Sequence, residues 1–150
     1  MEINGLPVHA LSVHGAVVFG PLAALAGLAY VVPALRDRVR WPLVVTVVIA
    51  VGAIWVSYVS GESVRDNNEF FRTGEVGAMV ETHEQRAEVL RLVTTGFAVV
   101  SVLAAWLHTR SGPVRVLLGV LVGGFALATG VWTVLTGDAG AQIAWNGING

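Results

Sequence analysis

The sequence predicts an all-α protein: a bundle of four transmembrane helices, both termini extracytoplasmic, built from two similar hairpins. Three observations predict it. The 150 residues are 55% hydrophobic and only 13% charged, with a mean hydropathy of +0.71, whereas a soluble domain carries about 25% charged residues. Residues 15–35, 41–60, 92–107 and 116–136 form four stretches without a charge, each near the roughly 20 residues that cross about 30 Å of hydrocarbon. The two connections within the pairs are short and arginine-rich, "RDRVR" (36–40) and "HTRSGPVR" (108–115), as cytoplasmic loops are.

The elements follow in order. The chain opens Met1-Glu2-Ile3-Asn4, without the basic start of a secretory signal, so the first span is expected to be retained. The spans are expected at about 10–35, 41–61, 80–108 and 115–136 as one integral-membrane domain. The third is uncharged only over its inner part, and its helix is expected to extend back to about Gly77. "RDNNEFFRTGE" (65–75) then remains as the true outer loop. Trp41 and Trp106 fall near the inner interface and Tyr58 and Trp145 near the outer one, as an aromatic belt places them. Gly119 and Gly123 form a small-xxx-small pattern, which reads as close helix packing.

The polar residues repeat with the hairpins. The first hairpin opens with a histidine and ends its returning helix in Ser60-Gly61-Glu62; His83 precedes the third span, and the fourth ends in Thr136-Gly137-Asp138. Taken singly, each ending reads as a glycine C-cap with a solvated acid after it. Recurrence at equivalent places points instead to a shared site, as parallel repeats often build at their interface. At 1.5 Å per helical residue, His14, Glu62 and Asp138 come out roughly 33 to 35 Å from the inner arginines, and His9 and His83 both roughly 40 Å. Three histidines and two carboxylates therefore share the outer end. His108 stands by itself on the inner side and reads as an interfacial residue.

Histidine is the commonest metal ligand and the usual axial ligand of b-type haem, and bundle cores hold such groups on facing helices. Cofactor candidates are His9, His14 and His83, with His9 and His83 at matched depth for a bis-histidine haem. A divalent zinc, iron or copper ion is the competing expectation, with His9, His14, Glu62, His83 and Asp138 as candidate ligands. His9 and His14 are turned about 140° apart on an ideal helix, so one is expected to bind directly and the other to support it. A third reading has no cofactor, the histidines serving only as caps at helix ends.

Several functions are argued down. A net charge of −1 gives no basic face for nucleic acid. The absence of cysteine removes disulfides, thiolate zinc sites and iron–sulfur clusters. No charge lies inside the four uncharged stretches, which argues against ion-coupled transport by this chain alone. No nucleophile–base–acid arrangement stands out, so electron transfer or an accessory role fits better than catalysis.

The motifs resemble the bacterial family catalogued as domain of unknown function 2231, small four-span membrane proteins. The family's Leu-Pro-x-His-x-Leu-x-x-His opening is matched by Leu6, Pro7, His9, Leu11 and His14, its Ser-Gly-Glu by Ser60, Gly61 and Glu62, and its third-span histidine by His83. Near its end the family often reads Thr-Gly-His-x-Gly-Ala; here Thr136, Gly137, Gly140 and Ala141 match but aspartate stands at 138, so a histidine-ligand role does not carry over to that position. Relatives fused to Rieske-type or cytochrome-type domains imply outward-facing redox chemistry. The expectation is thus a redox-associated protein of the bacterial cytoplasmic membrane, binding one b-type haem or one metal ion. The alternative is a structural or accessory subunit of a larger respiratory-type membrane complex. Expected partners are the lipid bilayer and a membrane redox complex or extracytoplasmic redox domain; the sequence leaves homodimerisation open.

Overall fold

The computed structural model describes residues 2–3 and 6–149, with side chains from 8 to 146. Four helices carry the described chain: α1 (Val8–Val31), α2 (Arg36–Asp66), α3 (Gly74–Trp106) and α4 (Pro113–Asn149). A two-residue antiparallel ribbon, β1 (Glu2–Ile3) with β2 (Leu6–Pro7), precedes α1. Pro7 thus falls just ahead of the first helical residue, where a missing N–H costs nothing.

All four helices are long and apolar enough to cross a membrane, and the chain is an integral membrane four-helix bundle. Each hairpin packs on itself, α1 on α2 and α3 on α4, and the ring is closed by α1 against α4 and α2 against α3. Helices α1 and α3 are therefore diagonal. The interior inverts the pattern of a soluble protein. Small and hydroxyl residues fill it, Ala23, Ala50, Thr94, Ser101, Ala126 and Thr129 among them, while Leu25, Val120 and Val134 stand more than 55% exposed on the outside. In lipid, association comes from close packing rather than from hiding apolar surface. Phe97 is the largest fully buried side chain. Its ring tip lies where a Cβ on Gly27 would come within 2.6 Å, so that glycine is what lets α1 close on α3. Two of the buried hydroxyls bond within their own helices, Thr94 to Leu90 O at 2.8 Å and Thr133 to Thr129 O at 2.7 Å, whereas those of Ser101, Thr129 and Thr136 have no partner among the described residues.

The helix ends differ from the sequence expectation at the end bearing the termini. α2 continues through Gly61 to Asp66, α3 starts at Gly74 rather than near 77, and α4 continues through Gly137 to Asn149. Neither glycine is a C-cap. A helix-interior glycine costs only about 1 kcal/mol relative to alanine; at Gly61 the room is used by the His9 ring, while nothing packs within 4 Å of a Cβ at Gly137. The connection between α2 and α3 shrinks to 67–73 and contains a 3₁₀ turn, Glu69–Phe71, capped by the Asn68 side chain on Phe70 N at 3.1 Å. At the opposite end α4 begins with Pro113 after Gly112 at φ 69°, a conformation glycine adopts without strain. Two bonds stitch this end together: Tyr30 OH donates to Ala104 O at 3.0 Å, and His108 Nε2 meets Asp37 Oδ1 at 2.8 Å. His108 therefore does not stand by itself: it ties the two short loops together.

Candidate functional site

The end of the bundle that bears the termini holds a cavity of about 630 Å³ between the two hairpins, within the range of small-molecule and cofactor sites. Its walls are mostly apolar, with Val13, Ala16, Ile54, Val80 and Leu90 among them. Two imidazoles border it, His9 from α1 and His83 from α3, so they come from diagonal helices.

Both histidines are held in the same way. His9 Nδ1 donates to Ser57 O on α2 at 2.9 Å, and His83 Nδ1 donates to Thr136 O on α4 at 3.0 Å. A backbone carbonyl can only accept, so Nδ1 carries the hydrogen in each ring. In the neutral ring that leaves the lone pair on Nε2. Each ring lies on a glycine one helical turn beyond its carbonyl partner. A Cβ on Gly61 would stand 3.1 Å from His9 Cε1, and one on Gly140 would stand 3.1 Å from His83 Cε1. The glycine provides the flat place for the ring, and the carbonyl four residues earlier fixes its rotation. His9 has a further restraint: Ser57 Oγ donates to Ser12 Oγ at 2.9 Å, and Ser12 Oγ donates to His9 O at 3.2 Å.

The mouth of the cavity carries the charges. Glu62 borders it, and Arg65 of α2 forms an ion pair with Glu84 of α3 across it. Arg65 also holds Asp66 at 3.2 Å. The other carboxylate oxygen of Glu84 is buried without a hydrogen-bond partner. Phe70 and Phe71 of the 3₁₀ turn, ring centroids 5.4 Å apart, complete the rim.

The five residues singled out by sequence thus separate. His9 and His83 meet at one cavity and Glu62 stands at its mouth. His14 does not join them: it is exposed, with Nδ1 bonded to Ala10 O of its own helix at 2.6 Å. Asp138 is also outside, 3.9 Å from Arg86 Nη1 and accepting from Gln142 Nε2 at 2.9 Å. Among the described residues no three His, Asp or Glu side chains converge as a metal site would require.

Sequence reasoning missed Ser57, Gly140, Arg65 and Glu84. A signal existed for the first two. Shifting the returning helix α2 by 79 positions lays Ser57 and Gly61 on Thr136 and Gly140, two hydroxyl-xxx-Gly pairs. The more conspicuous match of Ser60-Gly61-Glu62 with Thr136-Gly137-Asp138 is out of register by three residues. No protein-family model, curated protein sequence or solved structure matches the chain.

Proposed function

We propose that this chain is a redox-associated protein of the bacterial cytoplasmic membrane that holds one b-type haem between His9 and His83, at the extracytoplasmic end of the bundle. One observation carries the reading. Two imidazoles from diagonal helices reach one apolar cavity with Nδ1–H already committed to backbone carbonyls, which leaves Nε2 of each as the ligating atom. A non-haem ion would call for further protein ligands; His14 and Asp138 are engaged elsewhere, and Glu62 at the mouth does not complete a cluster of three with the two histidines. A bis-imidazole haem needs none.

In this role the bound haem would supply one-electron chemistry. The residues of the chain supply the rest. The carbonyls of Ser57 and Thr136 keep the rings in one tautomer and orientation. Gly61 and Gly140 allow the rings to lie against the returning helices, and Val13, Ala16, Ile54 and Leu90 keep water from the ligands. The extracytoplasmic assignment rests on the arginines of the short loops, and the opening and Ser-Gly-Glu motifs that resemble the domain of unknown function 2231 family fall at this same end. A redox partner would approach the rim of Glu62, Arg65, Glu84 and the Phe70–Phe71 turn.

The test is an oxidised and dithionite-reduced visible spectrum of the detergent-purified protein, with metal analysis on the same sample. A Soret band with sharp reduced α and β bands, lost in both His9→Ala and His83→Ala, is the expected result. Stoichiometric zinc, copper or iron without haem would replace the haem with a metal ion. Neither signal, after expression with ample haem and metals, would refute the reading.

A further inference from the structure

The opposite end of the bundle gathers cations around a buried arginine. Arg36, the first residue of α2, is only 8% exposed. Its Nε donates to Tyr30 O at 3.2 Å, using a carbonyl from the last turn of α1 that has no partner within that helix. Its guanidinium carbon sits 5.2 Å from the centroid of the Tyr30 ring, and Nη2 lies where a Cβ on Gly119 of α4 would be 3.2 Å away. The ring, the carbonyl and the glycine fix the guanidinium in place. Among the described residues it makes no ion pair, and its terminal nitrogens have no acceptor from the protein.

Two more arginines, Arg40 and Arg115, act electrostatically on the Tyr30 hydroxyl together with Arg36, and Asp37 acts on it with the opposite sign. Arg40 stacks 5.1 Å from the Trp41 ring, with its Nε buried and unpartnered. The nearby acid, Asp37, is taken by His108. A fixed guanidinium on a mostly buried residue, with no carboxylate of the described chain paired to it, can receive an anion at its terminal nitrogens. The surroundings say where that anion comes from. Trp41 and Trp106 are 61% and 79% exposed at this level, as tryptophans at the headgroup layer are. Val31, Val32 and Leu35, also exposed, offer apolar surface beside the arginine for an acyl chain.

We propose that this end of the bundle binds the phosphate of an anionic phospholipid from the adjacent leaflet, gripped by the fork of Arg36 and flanked by Arg40 and Arg115. A guanidinium matches phosphate with two parallel hydrogen bonds, and basic recesses between transmembrane helices are where anionic headgroups lodge. The site is independent of the haem reading, since the two lie at opposite ends of the bundle.

The test is native mass spectrometry of the whole protein in detergent, titrated with phosphatidylglycerol or with phosphatidylcholine. The expected result is one phosphatidylglycerol retained per chain, at least about tenfold more tightly than phosphatidylcholine. Arg36→Gln should abolish that preference. Because Arg36 also caps α1, the double variant Arg40→Gln/Arg115→Gln, which leaves the cap intact, serves as the second arm and should weaken retention about tenfold. Equal retention of the two lipids, or undiminished preference in the double variant, would overturn the proposal. So would displacement of the lipid by millimolar inorganic phosphate, which would identify a free-anion site instead.

Discussion

The glycines under the two histidines allow a test in which stability and cofactor binding are expected to part company. In Gly61→Ala the new Cβ would stand 3.1 Å from His9 Cε1 and 3.2 Å from Nδ1, so the ring must retreat by a few tenths of an ångström. Its bond to Ser57 O, 2.9 Å in the native protein, lengthens toward the limit of a useful hydrogen bond. Losing part of a bond worth about 0.5–1.5 kcal/mol should weaken haem retention roughly two- to tenfold. Alanine meanwhile favours the helix by about 1 kcal/mol over glycine. The apoprotein should therefore unfold at the same temperature or slightly higher, while the reduced α band titrates in at higher haem concentration. Gly61→Val should exaggerate the second effect, since its γ-methyls occupy the place of the ring. Gly140→Ala, with its Cβ 3.1 Å from His83 Cε1, should repeat the pattern in the other hairpin. The assays are thermal unfolding followed by circular dichroism and haem titration followed in the Soret region. Native-like haem retention in Gly61→Val would refute the reasoning, because it would mean that His9 is not a ligand in the position described.

Other outcomes follow from the same structure. His14→Ala should leave the reduced spectrum unchanged, since that ring is exposed and bonded to its own helix; a lost α band would return His14 to the ligand set. Phe97→Ala removes the largest fully buried side chain, packed between Gly27 and Ala126, and should cost about 3 kcal/mol or more of stability, measured as a lower unfolding midpoint in detergent. A periplasmically active reporter such as alkaline phosphatase, fused after Gly150, should be active in whole bacterial cells; activity only of a cytoplasmic reporter there would reverse the assigned orientation.

The four helices were legible because lipid imposes a length and a composition that show up as uncharged runs. The shared level of His9 and His83 was legible for a related reason. Short arginine loops fix one end of every helix, and counting residues from them works wherever the helix is unbroken. The helix ends were not legible. Gly61 and Gly137 look like terminators when read along the chain, yet α2 and α4 run through both; Gly61 is there for a ring on another helix, and nothing packs on Gly137. Rotation was not legible either. A spacing of five residues says that His9 and His14 face different ways, but which one turns inward depends on where α2 and α4 lie. The Arg65–Glu84 pair joins α2 to α3, and no pattern along either helix announces it.

The register of the internal repeat shows what decides such a site. By residue type, the best match between hairpins is hydroxyl-Gly-acid, which lays Glu62 on Asp138 and suggests two equivalent carboxylates. By geometry, the match is the carbonyl and glycine that seat an imidazole: Ser57 with Gly61, and Thr136 with Gly140. The second register is the physical one, since a planar ring can lie flat on a helix only where a side chain is missing, and can donate from Nδ1 only to a carbonyl one turn back. It also explains why the acids part. In that register Glu62 is equivalent to Ala141 and Asp138 to Val59, so no symmetry binds the two carboxylates to a common role, and one stands at the cavity mouth while the other pairs with Arg86 outside. What the two hairpins share is therefore a seat for histidine. Two such seats facing one cavity make a pair of oriented Nε2 atoms, which is the arrangement that the haem reading needs from the protein.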